Sequence, residues 1–360
     1  VHQLEALYES TPKAVGFIER KIDIPSHTLN LYGPPRCGKT WVVLDYAATI
    51  PKKKRLYIDF SDLRIDKTTL AKSLQGFIDR HGIETVILDS YDKSVPIPNC
   101  RQTVIVTQAP FTENPFMPLL ELAPLDFEEY LAFEKRHTHP EHSFSLYLRT
   151  GSLPSMAGTH ESLLTRRLHS LVRSIFPAKS DRAIFRQMAR HLGKPLTPHQ
   201  LYTALKKRTK ISKDRLYATL EDLKERRMVA WVEKFGQPRA AKRLLIYDFA
   251  MPASMFFEKS LMGQLYSIAA WRFVGAQREI FYHDALDLYD PAQHHGYIIS
   301  PFSNAESAAA KIADRIEALD SLKVKRLTIL TVSNAFEFDF DALHIQAIPF
   351  YEWLVEDAIQ

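Results

Sequence analysis

The sequence predicts an α/β protein whose first part is a parallel sheet, and three observations predict it. Short apolar runs alternate with helix-period segments through residues 27–125; an octamer of loop-forming residues, "GPPRCGKT", runs from Gly33 to Thr40 where a strand should pass into a helix; and "TVILD", Thr85 to Asp89, is an apolar run ending in a carboxylate. Strands that alternate with helices argue for a parallel sheet with helices on both faces.

Taken in order, "HTLNLY" is the first strand and a helix follows from about Gly38. "RLYIDF", a helix near Lys67 to Arg80, "TVILD", "TVIVT" and a fifth strand in "LLELAPL" complete the unit. Beyond it the pattern turns helical. "DFEEYLAFEKR" opens on Asp126 with Glu129 three residues later, an acidic capping box for a helix to about Arg136. After the polar "HTHPEH", two helical stretches read as a lid. From Ser180 to Phe249 three helices and two short strands, "MVAWVEKF" and "RLLIYDF", read as a winged helix-turn-helix. The remainder, with the alanine-rich helix from Asn304 to Asp320 and the strand "KRLTILTVS", reads as a second α/β unit. The expected boundaries are 1–136, 137–179, 180–250 and 251–360.

The chain has 360 residues, 46% hydrophobic and 25% charged, and no uncharged apolar run long enough to span a bilayer, so no membrane partner is expected. Two distant cysteines, Cys37 and Cys100, and an N-terminus without a leader pattern suit the cytoplasm. Residues 194–243 hold 14 Lys and Arg against 5 Asp and Glu, a net of +9, while residues 331–360 hold six acids and neither Lys nor Arg. The excess suggests a polyanion contact confined to the winged helix-turn-helix.

"GPPRCGKT" fits G-x-x-x-x-G-K-[ST] in the strand-to-helix context that its chemistry requires. Backbone N–H groups of Gly33, Pro34, Pro35, Arg36, Cys37 and Gly38, where a proton is present, would cradle phosphates at the helix start. Lys39 would reach the β- and γ-phosphates, and Thr40 would ligate Mg²⁺. Asp89 is the second Mg²⁺ candidate. Because "RLYIDF" lies between the loop helix and "TVILD", the sheet order should be 5-1-4-3-2, as in P-loop ATPases with an inserted strand.

Thr107 or Gln108, in "TVIVTQAP", would sense the γ-phosphate or orient water. Ser90 stands where a glutamate would polarise that water, and it is too weak a base. Asp92, Glu113 and Glu121 are the alternative carboxylates. Cys37 reads either as a tolerated small residue or as a redox-sensitive one.

"GPPRCGKT", "YIDFSDLRI", "ILDSYD", "VIVTQAP", "LAPLDFEEYLAFE" and "YLRTGSLPS" follow one another as in bacterial and archaeal AAA-type ATPases of the archaeal-ATPase and STAND neighbourhood, which the whole chain resembles. The resemblance implies ATP with Mg²⁺, a winged helix after the lid, and a C-terminal restriction-endonuclease-like fold. Arg149, just before the "GSLP" turn, is then a lid arginine for the γ-phosphate or a surface ion pair. The family's Asp-Glu pair is Asp89-Ser90 here, its sensor strand ends Thr107-Gln108-Ala109, and Ser300 and Phe302 replace the nuclease acid and lysine beside Asp284 and Asp287.

On the winged helix, Lys206, Lys207, Arg208, Lys210, Lys213 and Arg215 flank the turn, and Arg239, Lys242 and Arg243 lie on the wing. They are expected to face DNA or to form a solvated basic face. His137, His139 and His142 fit no established metal spacing. The expected function is an ATP- and Mg²⁺-binding protein, with slow hydrolysis, acting on DNA. The alternative is a STAND-like switch for a protein partner without DNA. An ATPase of this kind often takes an arginine from a second copy.

Overall fold

The computed structural model describes residues 2–134, 139–258, 260–341 and 343–356. The chain divides into two compact units, Val1–Pro124 with Glu225–Arg227, and Leu125–Lys224 with Met228–Gln360.

The first unit carries α1 (His2–Glu9), β1 (Leu29–Tyr32), α2 (Lys39–Thr49), β2 (Arg55–Asp59), α3 (Lys67–His81), β3 (Thr85–Asp89), β4 (Gln102–Val106) and β5 (Leu119–Glu121). All neighbouring strands pair in parallel in the order β2-β3-β4-β1-β5, the expected 5-1-4-3-2 read from the other edge. Strands β1, β3 and β4 are buried at every position, as covering on both faces demands. Helix α3 shows how local sequence sets its length. Asp66 accepts from the N–H groups of Thr68 and Thr69 at its start, and Gly82 ends it in the left-handed region at φ 60°. Leu70, Leu74, Phe77 and Ile78 form its buried stripe. The same core takes Leu4 from α1, an element that the sequence reading left out; burial of one such leucine contributes about 1.5–3 kcal/mol.

The second unit begins with α4 (Phe127–Phe133), α5 (Pro140–Thr150) and α6 (Glu161–Ile175). The capping box of Asp126 and Glu129 is present, but α4 ends at Phe133, short of Arg136. The expected boundary at 136/137, and His137, lie outside the described residues. Then come α7 (Lys179–Ala189), β6 (Pro195–Leu196), α8 (Pro198–Lys206), α9 (Lys213–Glu225), β7 (Val229–Lys234) and β8 (Lys242–Ile246). These are the three helices and hairpin read from the sequence, with β6 added as a third strand on β8.

The last stretch runs α10 (Ala250–Ser254), α11 (Leu261–Gly275), β9 (Phe281–His283), β10 (Leu286–Asp290), β11 (His295–Ile299), α12 (Ala305–Ala313), α13 (Ile316–Ser321), β12 (Arg326–Thr331), β13 (Phe336–Phe340), β14 (Leu343–Pro349) and α14 (Phe350–Trp353). Strands β9, β10 and β11 form an antiparallel meander, β11, β12 and β14 pair in parallel, and β13 is an antiparallel edge. Through the parallel pairing Glu233↔Phe281 and Lys234↔Tyr282, the hairpin joins these strands in one nine-stranded sheet. The alanine-rich segment expected as one helix is two, broken at Asp314-Arg315.

Asp248 ties this unit together. Fully enclosed, its carboxylate accepts from the backbone N–H and hydroxyl of Ser152 at 2.8 and 3.1 Å, and from the N–H groups of Ala250 and Met251 at 3.0 and 2.8 Å. The "GSLP" turn reaches it through Gly151, at φ 83°, where a Cβ would lie 2.3 Å from the carboxylate. Replacing Asp248 by Ala leaves buried donors without acceptors, so Asp248→Ala is expected to cost about 2–4 kcal/mol. A thermal melt by circular dichroism checks it; an unchanged transition would rule out this role for Asp248.

Candidate phosphate-binding site

The octamer lies where its chemistry requires, closing from the end of β1 into α2 at the C-terminal edge of the parallel sheet. Gly33 and Gly38 hold φ angles of 152° and 103°, a range that side chains resist. At Gly33 a Cβ would come within 2.2 Å of the Leu122 carbonyl oxygen, so the loop can pass β5 at this distance only as glycine. The buried guanidinium of Arg20 supports the loop from behind, donating to the carbonyls of Cys37 at 2.7 Å and Ala123 at 2.8 Å.

Lys39 folds over the loop and donates to the carbonyls of Gly33 at 2.7 Å and Pro34 at 2.8 Å. Burial pulls its pKa down, and Cys37 and Asp89 pull it back up. Cys37 is fully buried in the core and donates to the Pro34 carbonyl at 3.0 Å; burial pushes its thiol pKa up. A thiol held protonated and enclosed is a packing residue and a poor redox sensor.

Asp89 sits at the tip of β3, 2% exposed. Burial raises its pKa, while hydrogen bonds from the Thr40 and Tyr57 hydroxyls and the Ser90 backbone favour the charged form. The Tyr57 hydroxyl lies 2.8 Å from Asp89 Oδ2. Thr40, exposed in the first turn of α2, and Asp89 at the tip of β3 were the expected metal ligands, and Thr40 favours the charge on Asp89. Among the described residues no group of three His, Cys, Asp or Glu gathers to hold a metal unaided. A hard cation at this pair would draw its other oxygens from phosphate and water, which is the ligand set Mg²⁺ prefers.

The expected catalytic residues are distributed differently. Thr107 follows β4 directly, accepting from Asn30 Nδ2 at 2.8 Å and donating to the Ala109 carbonyl at 2.6 Å. Buried Asn30 also donates to the Ile105 carbonyl at 3.0 Å and accepts from the Phe111 N–H at 2.9 Å, which fixes the strand end. Gln108 is exposed beside it. Asp92 is committed elsewhere, to Lys67 and to the Ser94 backbone and hydroxyl. Burial would raise its pKa, but these contacts bring it down to about 2, too low for a base. Glu113 pairs with Lys93 at 2.8 Å, and Glu121 accepts from the Tyr32 hydroxyl at 2.8 Å. Ser90, at φ 54°, is exposed. Tyr57 and Asn30 were missed from sequence; Tyr57 is on the strand beside Asp89, two residues from the register pair Asp59↔Asp89.

In the second unit, Arg149 pairs with Glu161 at 3.0 Å, the surface ion pair among its two readings. The nine basic residues expected to face a polyanion separate into two groups. Arg215 pairs with Asp181 at 3.0 Å and Lys242 with Glu233. Arg243 is drawn inward, 3.1 Å from Asp287 and between the rings of Tyr266 and Tyr282. Arg243 is a correction to the expected surface, caused by the shared sheet that covers the hairpin with β9 and α11, whereas Arg215 stays exposed but paired with α7 and Lys242 is held within the hairpin. Lys206, Lys207, Arg208, Lys210, Lys213 and Arg239 remain exposed. Asp284 pairs with Lys234 at 2.7 Å, and Asp287 also accepts from the Ile299 N–H at 2.9 Å.

No protein-family model and no curated protein matches the chain. Among solved structures it is similar to a Walker-type ATPase of Pyrococcus abyssi, at 17% identity and TM-score 0.43 over 63% of this chain and 90% of that one. It is similar to the Aeropyrum pernix ORC1 protein in complex with DNA, at 12% identity and TM-score 0.29 over 77% and 93%. A third is a STAND protein with a tetratricopeptide repeat sensor from Pyrococcus horikoshii, at 14% identity and TM-score 0.33, where 88% of this chain spans 52% of that one.

Because the Leu122 carbonyl blocks any side chain at Gly33, Gly33→Ala is expected to displace the loop and cost about 2 kcal/mol or more. Thermal denaturation of the full chain measures this. A wild-type melting temperature would mean that the loop does not depend on the close approach.

Proposed function

We propose that the chain binds ATP with Mg²⁺ at Gly33 to Thr40 and Asp89, as an AAA-type P-loop protein that hydrolyses ATP slowly. The observation that carries this reading is the glycine-hinged loop with Lys39 folded over its carbonyls, within the electrostatic reach of the buried Asp89 carboxylate. Lys39 would exchange its loop carbonyls for the β- and γ-phosphates, and Thr40 and Asp89 would hold the metal, whose charge offsets that of the phosphates. Thr107, held by Asn30, would stand toward the γ-phosphate as the sensor, with Gln108 beside it. Slow turnover follows from the engaged carboxylates: Asp92, Glu113 and Glu121 each have a partner, and Ser90 cannot polarise water.

Lys39→Ala is expected to abolish MgATP binding in isothermal titration while the thermal melt without nucleotide keeps its cooperative transition. Ser90→Glu is expected to raise turnover above the slow wild-type rate; a wild type without turnover would mark the site as a binding switch. Undiminished affinity in Lys39→Ala would sink the assignment.

A second reading concerns the helices α7 to α9 and their hairpin as a DNA-binding winged helix governed by nucleotide state. What favours it is a concavity of about 710 Å³ at the turn between α8 and α9, lined by Lys206, Arg208 and Lys210 with no carboxylate. Duplex DNA binding that weakens with salt, and is lost in a Lys207/Arg208/Lys213 triple alanine variant, would support it. Absence of binding with ATP and with ADP would leave the alternative, a nucleotide-gated switch for a protein.

A further inference from the structure

A second concavity lies within the second unit, among α5, α6, α7 and α10. It encloses about 660 Å³. Its floor is aliphatic, formed by Leu148, Leu164, Leu168 and Val172 with the half-buried Met255. Arg149, Arg173, Arg182 and Arg186 line it, and none of the described lining residues is Asp or Glu. Beyond the floor, Phe257 is fully exposed at the end of the segment that follows α10.

An apolar floor inside a ring of guanidinium groups fits neither a purely apolar nor a purely polyanionic ligand. The rim is built to receive carboxylates: Glu161, itself largely exposed, already docks on Arg149 at 3.0 Å. Arg182 is fixed by the carbonyls of Phe176 and Pro177 at 2.7 and 2.5 Å, so one cation is preorganised. Single-stranded nucleic acid would need aromatic faces for its bases. Here the Phe256 ring is taken by Arg190, at 4.6 Å from its centre, and by Arg186, at 5.8 Å, which leaves Phe257 as a single ring for successive bases among the described lining residues. The aliphatic floor instead suits leucine-sized anchors.

We infer that this cleft docks an acidic amphipathic segment of a partner protein, its apolar stripe on the leucine floor and its carboxylates on Arg149, Arg173 and Arg186. Phe257 extends the apolar contact past the rim. Helical recognition of this kind places anchors at i, i+3, i+4 and i+7. The inference is independent of nucleotide binding and of the basic turn.

The test is fluorescence anisotropy of the full chain with a fluorescein-labelled peptide of about 15 residues, leucine at the anchor spacing and glutamate elsewhere. The same peptide with lysine for glutamate, and an oligothymidylate, are the competing probes. The acidic peptide is expected to bind, to weaken with salt, and to lose about tenfold in affinity in Arg173→Glu/Arg186→Glu and in Phe257→Ser. Phe257 is fully exposed, so its variant keeps the core, and a thermal melt verifies the fold of both. Binding should survive the Lys207/Arg208/Lys213 triple variant. No binding, equal binding of the lysine peptide, or affinity unchanged in both cleft variants overturns the inference. Tighter binding of oligothymidylate that the cleft variants remove also overturns it, and reassigns the cleft to nucleic acid.

Discussion

A carboxylate enclosed at the end of an apolar strand stays charged only if donors face it, and the first unit is organised around that demand at Asp89. Strand β3 lies between β2 and β4, so the carboxylate at its tip is enclosed on both sides by strands that reach the same level. Tyr57 comes from β2 and Thr40 from the first turn of α2. The helix can start there because Gly38 turns the chain and Gly33 slips past Leu122. The loop glycines and the donors on Asp89 thus meet one local problem, the solvation of a charge inside a parallel sheet.

Asp248 offers a comparison, since it is equally enclosed and burial raises its pKa too. Its partners are mostly backbone N–H groups, which cannot rotate away, so four donors saturate it. Such a group joins elements and has no capacity for a ligand. The two side-chain partners of Asp89 are hydroxyls, which can turn and exchange donation for acceptance. Burial is thus common to both carboxylates, and what differs between them is the mobility of their donors.

The parts of this arrangement that were legible in the sequence are those written in short stretches. "GPPRCGKT", "TVILD" and the Asp66 and Gly82 ends of α3 each carry their reason within a few residues. The sheet order followed because the inserted strand "RLYID" has one suitable place. Contacts between distant segments were not legible. Tyr57 looked like an ordinary strand aromatic, and its hydroxyl acquires a role only once β2 and β3 are in register. Asp92, two residues past Ser90, looked like a base until Lys67 was brought to it from α3. The hairpin of β13 and β14 was missed although its alternation is written in the sequence: "FEFDF" and "LHIQA" place apolar residues at every second position, and the burial follows them.

Charge counting was misleading for a related reason. A net of +9 over residues 194–243 suggests a continuous basic face, yet Arg215 and Arg243 are paired with Asp181 and Asp287 from outside that stretch, and Lys242 with Glu233 inside it. Arg243 is the instructive case: a wing residue by sequence, it sits between two tyrosine rings because β7 pairs with β9 and brings α11 and the meander over the hairpin. The cations left exposed collect at the turn after α8, where no leucine floor accompanies them. The cleft beside α6 has as much positive charge and an aliphatic base. Counterion release rewards the first surface for any polyanion, whereas the second gains from burying apolar area as well. Similar charge therefore does not make similar surfaces, and the apolar component distinguishes the cleft from the turn.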